Sequence, residues 1–153
     1  MPKKATEGAA AYDLYAPEDI EVYGGRQIVD MKFSLELPIG FAATIQPRSG
    51  FSAKGFEVDE IHLEDGVVIE VRRCVRIDGD VKRGLIDADY RGKVGVIIYV
   101  RTKPDPFKRF VIRKGTRIAQ MQIVEVPEIE LVEADELSET DRGEGGFGST
   151  GVL

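Results

Sequence analysis

A single cysteine, Cys74, excludes any intrachain disulfide and is consistent with a reducing compartment. Histidine is equally scarce. His62 has no cysteine or second histidine at ligand spacing, so a zinc site is not expected, and it lacks the partners of a Ser-His-Asp nucleophile system. No apolar run approaches the roughly 20 residues of a transmembrane helix. The opening residues, Met-Pro-Lys-Lys-Ala-Thr-Glu, have no apolar core of the kind a secretory signal needs. A positive balance is also missing: the net charge of -6 argues against a general nucleic-acid binder. Helical periodicity is nearly absent, with one short candidate near Val132 to Leu137. What these absences leave is a soluble, intracellular protein with neither nucleic acid nor membrane as partner.

What is present is β pattern. Val29, Met31, Phe33, Leu35 and Leu37 alternate with Asp30, Lys32, Ser34 and Glu36, which predicts a half-buried strand closed by Pro38 and Gly40. Phe41 to Ile45 predicts another. Val67, Ile69 and Val71 alternate again, and Val75 and Ile77 continue beyond Arg72-Arg73. Asp65-Gly66 and Asp78-Gly79 read as hairpin turns. Val94 to Val100, Phe110 to Ile112 and Ile118 to Val126 supply three more strands, with Lys114-Gly115 turning between the last two. Many short strands joined by turns imply a sandwich, jelly roll or barrel. No repeat or linker divides the chain, so residues 1–153 are expected to form one domain. From Leu137 onward apolar residues thin out, and 138–153 are expected to be a flexible arm.

Five short blocks carry candidate chemistry. Gly84-Leu-Ile-Asp-Ala-Asp-Tyr-Arg-Gly92 sets Asp87 and Tyr90 between glycines just before a buried strand, which taken alone reads first as a surface turn with solvated acids and second as an acid and a ring on a rigid edge. Pro47-Arg-Ser-Gly50 combines a guanidinium, a hydroxyl and a flexible amide, a composition suited to anions or to a plain turn. Asp13 follows the small residues Ala9-Ala-Ala and suits either a hydrated magnesium ion or a structural cap. In Arg117-Ile-Ala-Gln120, Gln120 is a possible phosphate donor or an ordinary edge residue. Arg142-Gly-Glu-Gly-Gly-Phe-Gly-Ser-Thr-Gly151 fails as a dinucleotide fingerprint, because no strand precedes it and no helix can follow. Its glycine amides and hydroxyls suit an oxyanion and Phe147 suits a base, the commoner alternative being a plain polar tail.

Taken in order, the blocks resemble the five motifs of the trimeric dUTP pyrophosphatase (dUTPase) family: Ala10 to Ala16, Pro47 to Gly50, Gly84 to Gly92, Arg117 to Gln120, and Arg142 to Gly151. The resemblance spans nearly the whole chain. It implies an all-β, jelly-roll-like distorted barrel and a homotrimer whose active sites draw on more than one subunit. It also implies cleavage of dUTP to dUMP and pyrophosphate with Mg²⁺, which limits uracil in DNA and supplies dUMP for dTMP synthesis. By the same resemblance Asp87 is the catalytic residue that orients and deprotonates the attacking water. Tyr90 packs under the deoxyribose and excludes a 2′-hydroxyl. The backbone from Val81 through Leu85 to Ile86 reads uracil. Arg48, Ser49, Gly50 and Gln120 hold phosphate oxygens. Phe147 stacks on the base, Arg142, Gly148, Ser149 and Thr150 grip the terminal phosphates, and Asp13 meets magnesium through water.

Three departures from the family pattern stand out. The chain starts almost at the first motif, so the usual N-terminal strand is expected to be missing or shortened. Ser49 and Asp87 lie 38 positions apart, well beyond the family's usual separation, and the surplus within Val58 to Asp80 predicts an inserted hairpin between the second and third motifs. Ala11 stands where glycine is common, which is tolerable if its φ is negative. Two alternatives are a dCTP deaminase, which shares the fold and part of the third motif, and a non-catalytic interaction protein using the hairpin as its contact surface.

Overall fold

The computed structural model describes residues 1–103 and 105–145. Its elements are β1 (Lys3–Lys4), β2 (Tyr12–Tyr15), β3 (Ile20–Val22), β4 (Gly25–Asp30), β5 (Phe41–Gln46), α1 (Ser49–Lys54), β6 (Phe56–Glu64), β7 (Val67–Ile77), β8 (Gly79–Val81), β9 (Gly84–Ile86), β10 (Gly95–Val100), β11 (Lys108–Ile112) and β12 (Arg117–Glu125). Three sheets form, ordered β1-β2-β12-β5-β9, β4-β10-β8 and β3-β11-β6-β7. All pairings among them are antiparallel. The fold is the expected jelly-roll-like, distorted all-β architecture, and among the described residues no sheet closes on itself.

Period-2 alternation builds the core. Along β10, Val96, Ile98 and Val100 point inward with almost no exposure. They meet Leu14, Ile45 and Ile118 from the five-stranded sheet and Phe56, Phe110 and Ile112 from the four-stranded one, in one buried cluster. Each such side chain contributes about 1.5–3 kcal/mol by leaving water.

The surplus between the second and third motifs is the β6–β7 hairpin. Its turn is Asp65-Gly66, two residues with φ 47° and 78°, the left-handed pair that a two-residue hairpin requires. The base of the hairpin is core: Phe56 is fully buried and packs edge-to-face on Phe51 of α1 at 4.1 Å between ring centres. The tip is solvated, with Val67, Val68 and Ile69 exposed.

One buried carboxylate ties the base together. The register slips between Val58 and Glu60, so Asp59 faces a bulge where Cys74 adopts φ 55°. Asp59 Oδ2 accepts from Arg73 Nη1 at 2.8 Å and from Arg113 Nε at 2.7 Å, and its Oδ1 accepts the Cys74 amide at 3.4 Å. Burial by itself would raise the pKa of this carboxyl. Hydrogen bonds from Arg113 and the Cys74 amide, with the charges of Arg113 and Arg73, outweigh that and hold it below the ordinary aspartate value.

Several expectations need correction. The strand predicted to reach Leu37 ends at Asp30, because Lys32 takes φ 60° and its amide donates to Asp30 Oδ1 at 2.7 Å. Pairing to Val94 resumes on either side of that kink, and Phe33, Leu35 and Leu37 still pack on the core. Asp78-Gly79 is not a hairpin but the corner where β7 leaves one sheet and β8 joins another. Gly79 is needed there, since a Cβ would lie 2.0 Å from the Phe56 ring. Residues 132–137 form no helix and are fully solvated, without a packing surface to stabilise a short helix. The one helix among the described residues, α1, is too short to announce itself by periodicity.

The N-terminal strand is short: β1 pairs with β2 over only two residues. Ala11 is not among the three non-glycine residues with positive φ, so its replacement of glycine costs no backbone strain.

Candidate active site

Three neighbouring strands bring the first, second and fourth motifs together. Gln120 on β12 stands opposite Asp13 on β2 and opposite Gln46 on β5. Asp13 is buried at 6% exposure, and a buried carboxylate needs partners. It finds Arg48 Nε at 2.9 Å and Arg117 Nη1 at 3.4 Å. Gln120 Nε2 donates to the Pro47 carbonyl at 3.2 Å, fixing the turn that leads into Arg48. Ser49 and Gly50 open α1 and are exposed beside these groups. An exposed hydroxyl, an accessible amide and two guanidiniums have the composition that suits an anion. Asp13 is thus already engaged as the counter-charge that aims Arg48 and Arg117.

The third motif builds a separate cleft at the sheet edge. β9 pairs with β5 through Ala43↔Ile86, Thr44↔Leu85 and Ile45↔Gly84, and its other edge has no neighbour among the described residues. An edge strand leaves alternate N–H and C=O groups free. Val81 is buried in β8 opposite Ile98, and the Lys82 amide donates to Ile97 O at 2.8 Å, so the chain from Val81 to Ile86 bridges two sheets on a fixed path. The cleft, about 290 Å³, is walled by Ile45, Leu85, Ile86, Asp87, Tyr90 and Val94 among others. Asp87 is exposed there, and its carboxylate has no ion pair or hydrogen bond among the described residues.

Tyr90 is held from three directions. Its amide donates to Asp87 O at 3.2 Å, its hydroxyl donates to Lys93 O at 3.1 Å, and its ring lies over Gly92, where a Cβ would sit 2.3 Å from the hydroxyl. Arg91 braces the turn by donating to Ala88 O at 2.7 Å and Tyr90 O at 3.1 Å, and its far nitrogen reaches Glu36 at 3.3 Å.

The two clusters do not meet within one chain. Ile86 pairs with Ala43, so Asp87 falls level with Ala42, while Arg48 lies beyond the opposite end of β5. At about 3.3 Å per residue that is a separation of roughly 20 Å. The described part of the arm, up to Gly145, reaches neither cluster in the same chain: Arg142 Nε donates locally to Gly145 O at 2.8 Å, and residues 127–144 are all exposed. Phe147, Gly148, Ser149 and Thr150 lie outside the described residues. Sequence reasoning left Arg91, Gly92 and Arg117 without roles. Arg91 and Gly92 sit inside the third motif and Arg117 inside the fourth, but contacts across the fold, not spacing, reveal what they hold.

The dUTPase family model matches residues 1–72 and 73–151, with the break inside β7. The deoxyuridine 5'-triphosphate nucleotidohydrolase of Hydrogenobaculum sp. (strain Y04AAS1) is 40% identical over 99% of this chain and 90% of its own length. The protein of the same name from Beijerinckia indica is 38% identical over 99% of this chain and 82% of its own. Among solved structures, a mutant dUTPase of Staphylococcus bacteriophage 80alpha with dUpNHpp superposes at a TM-score of 0.76, with 25% identity over 99% of this chain and 92% of that one. The dUTPase of phage phi11, described with a structural Mg(II) ion, shares the fold at a TM-score of 0.65 and 20% identity, over 89% of this chain and 90% of that one. The chain belongs to the dUTPase family.

Proposed function

We propose that this protein hydrolyses dUTP to dUMP and pyrophosphate, at sites completed by association of copies of the chain into a trimer. The observation that carries the reading is Asp87: a carboxylate unpaired among the described residues, beside Tyr90 over a cleft at a sheet edge, in a chain related to dUTP nucleotidohydrolases. The free edge of β9 offers donors and acceptors that match the edge of a pyrimidine. Tyr90 lies under the sugar, its ring leaving no room for a 2′-hydroxyl. The phosphates lie on Arg48, Ser49, Gly50 and Gln120 of another copy, because one chain holds Arg48 roughly 20 Å from its own Asp87.

Attack on phosphorus needs a positioned water and neutralised charge more than covalent help. Carboxylates are weak bases, so Asp87 acts chiefly by orienting the water and then taking its proton. Arg48 and Gln120 stabilise charge on the departing pyrophosphate. The arm, 138–153, folds over the site, with Phe147 on the base and Arg142, Gly148, Ser149 and Thr150 on the phosphates. Closing it excludes bulk water.

Among the described residues no group of three or more His, Cys, Asp or Glu side chains gathers to hold a metal. Asp13 already faces two guanidiniums. A magnesium ion would therefore be held mainly by the triphosphate that carries it, with Asp13 reaching it only through water. It would supply neutralising charge to the phosphates. The role that follows is restriction of uracil in DNA and supply of dUMP.

The test is pyrophosphate release from dUTP with Mg²⁺, against dTTP, dCTP and UTP as controls. Turnover of dUTP with little from the others supports the reading. Ammonia release from dCTP would identify a deaminase. No turnover of any nucleotide would leave a binding protein.

A further inference from the structure

Beside Arg48 and Arg117 opens a polar cleft of about 440 Å³ whose far wall the family motifs do not account for. That wall is made by Lys54, in the last turn of α1, and by Arg76, on β7 of the added hairpin. Their position has a local cause. Gly55 turns the chain from α1 into β6 at φ 73°, so close to β7 that a Cβ would lie 2.3 Å from the Ile77 carbonyl. The end of the helix is thereby laid against the base of the hairpin.

Four cations, Arg48, Lys54, Arg76 and Arg117, line the cleft with a single carboxylate, Glu57. In a chain of net charge -6 this is a local reversal of the field. Arg76 stands opposite Glu57 in the hairpin register, with Nη2 3.1 Å from its carboxylate. Both side chains are about half exposed, so the pair is weak and the guanidinium is free to turn to a better anion. Lys54 pairs with no carboxylate among the described residues.

We infer that Arg76 and Lys54 form an outer polyphosphate subsite, which extends the donors of Arg48 and takes the pyrophosphate end of the substrate. The identity of that substrate rests on the dUTP reading; the affinity for a diphosphate anion does not. The hairpin is then part of the phosphate-binding wall, and Arg76 is a substrate-contacting residue on a segment outside the five motifs.

The experiment titrates inorganic pyrophosphate and dUMP into the full-length protein and into Arg76→Met, Lys54→Met, Arg76→Lys and Glu57→Gln, with melting curves as a folding check. We expect each methionine variant to bind pyrophosphate about tenfold more weakly with dUMP affinity unchanged. The KM for dUTP rises in step while kcat stays within about twofold. Arg76→Lys recovers most of the loss, and Glu57→Gln, which releases Arg76, tightens pyrophosphate. Unchanged pyrophosphate affinity in both methionine variants overturns the inference, as does an equal loss for pyrophosphate and dUMP. If the wild type does not turn over dUTP yet binds pyrophosphate through Arg76 and Lys54, the substrate reading fails and the subsite stands.

Discussion

Arg48 Nε lies 2.9 Å from the buried carboxylate of Asp13, a residue 35 positions earlier on a strand two places away in the sheet. The same carboxylate takes Arg117. One acid thus aims two phosphate-type donors. Replacing it by alanine leaves two like charges side by side, although both arginines reach solvent. We expect Asp13→Ala to cost about 1–3 kcal/mol. A urea-melt midpoint reads this, and kcat/KM for dUTP falls at least tenfold as the guanidiniums splay. An unchanged midpoint would mean that the ion pairs contribute nothing.

Gly92 lets the Tyr90 ring lie flat, and a methyl group there would overlap the phenol. Gly92→Ala is expected to lower kcat/KM for dUTP by about tenfold or more and to narrow the preference over UTP. Because Tyr90 is exposed, stability changes by less than about 1 kcal/mol. Parallel kinetics on dUTP and UTP separate a misplaced ring from general damage.

Asp59 gives the fold an acid limb. Its carboxyl is held below the ordinary aspartate value in the folded state. The resulting stability is therefore fully present above the unfolded value of about 3.9, and it is lost as pH falls through the lower folded value. Chemical denaturation from pH 7 down to pH 3 should show stability dropping below about pH 4. Asp59→Asn should be less stable at pH 7 by about 1–3 kcal/mol, with a shallower drop on acidification. Equal slopes for the two proteins would remove Asp59 from the acid response.

Truncation after Asp141 removes the arm's arginine and its glycine-rich end. Residues 127–144 lie exposed, so the melting temperature should move by only a degree or two. Turnover of dUTP should fall by tenfold or more. A truncated protein as active as the full chain would show that closure of the arm plays no part in the reaction.

The β character, the Asp65-Gly66 hairpin and the strands from Phe41 onward were legible because alternation and turn chemistry are local. Lys32 was not, since its left-handed turn depends on the Asp30 carboxylate and on the partner strand around Val94. Nor was the corner at Gly79, which exists because the Phe56 ring lies against that backbone. The site divides the same way. Asp87, Tyr90, Arg48 and Asp13 stood out as motif residues. Their grouping did not, because the pairing of β9 with β5 decides that Asp87 and Arg48 sit toward opposite ends of β5.

That separation is the most direct point of attack on the account. Asp87→Asn chains and Arg48→Ala chains should each be inactive alone. Unfolded together in equal amounts and refolded, they should recover about a quarter of the wild-type rate, the share of sites that draws an intact residue from each partner under random mixing. A mixture that stays inactive, while wild-type protein treated the same way regains turnover, would place both residues in a site within one chain and contradict the account.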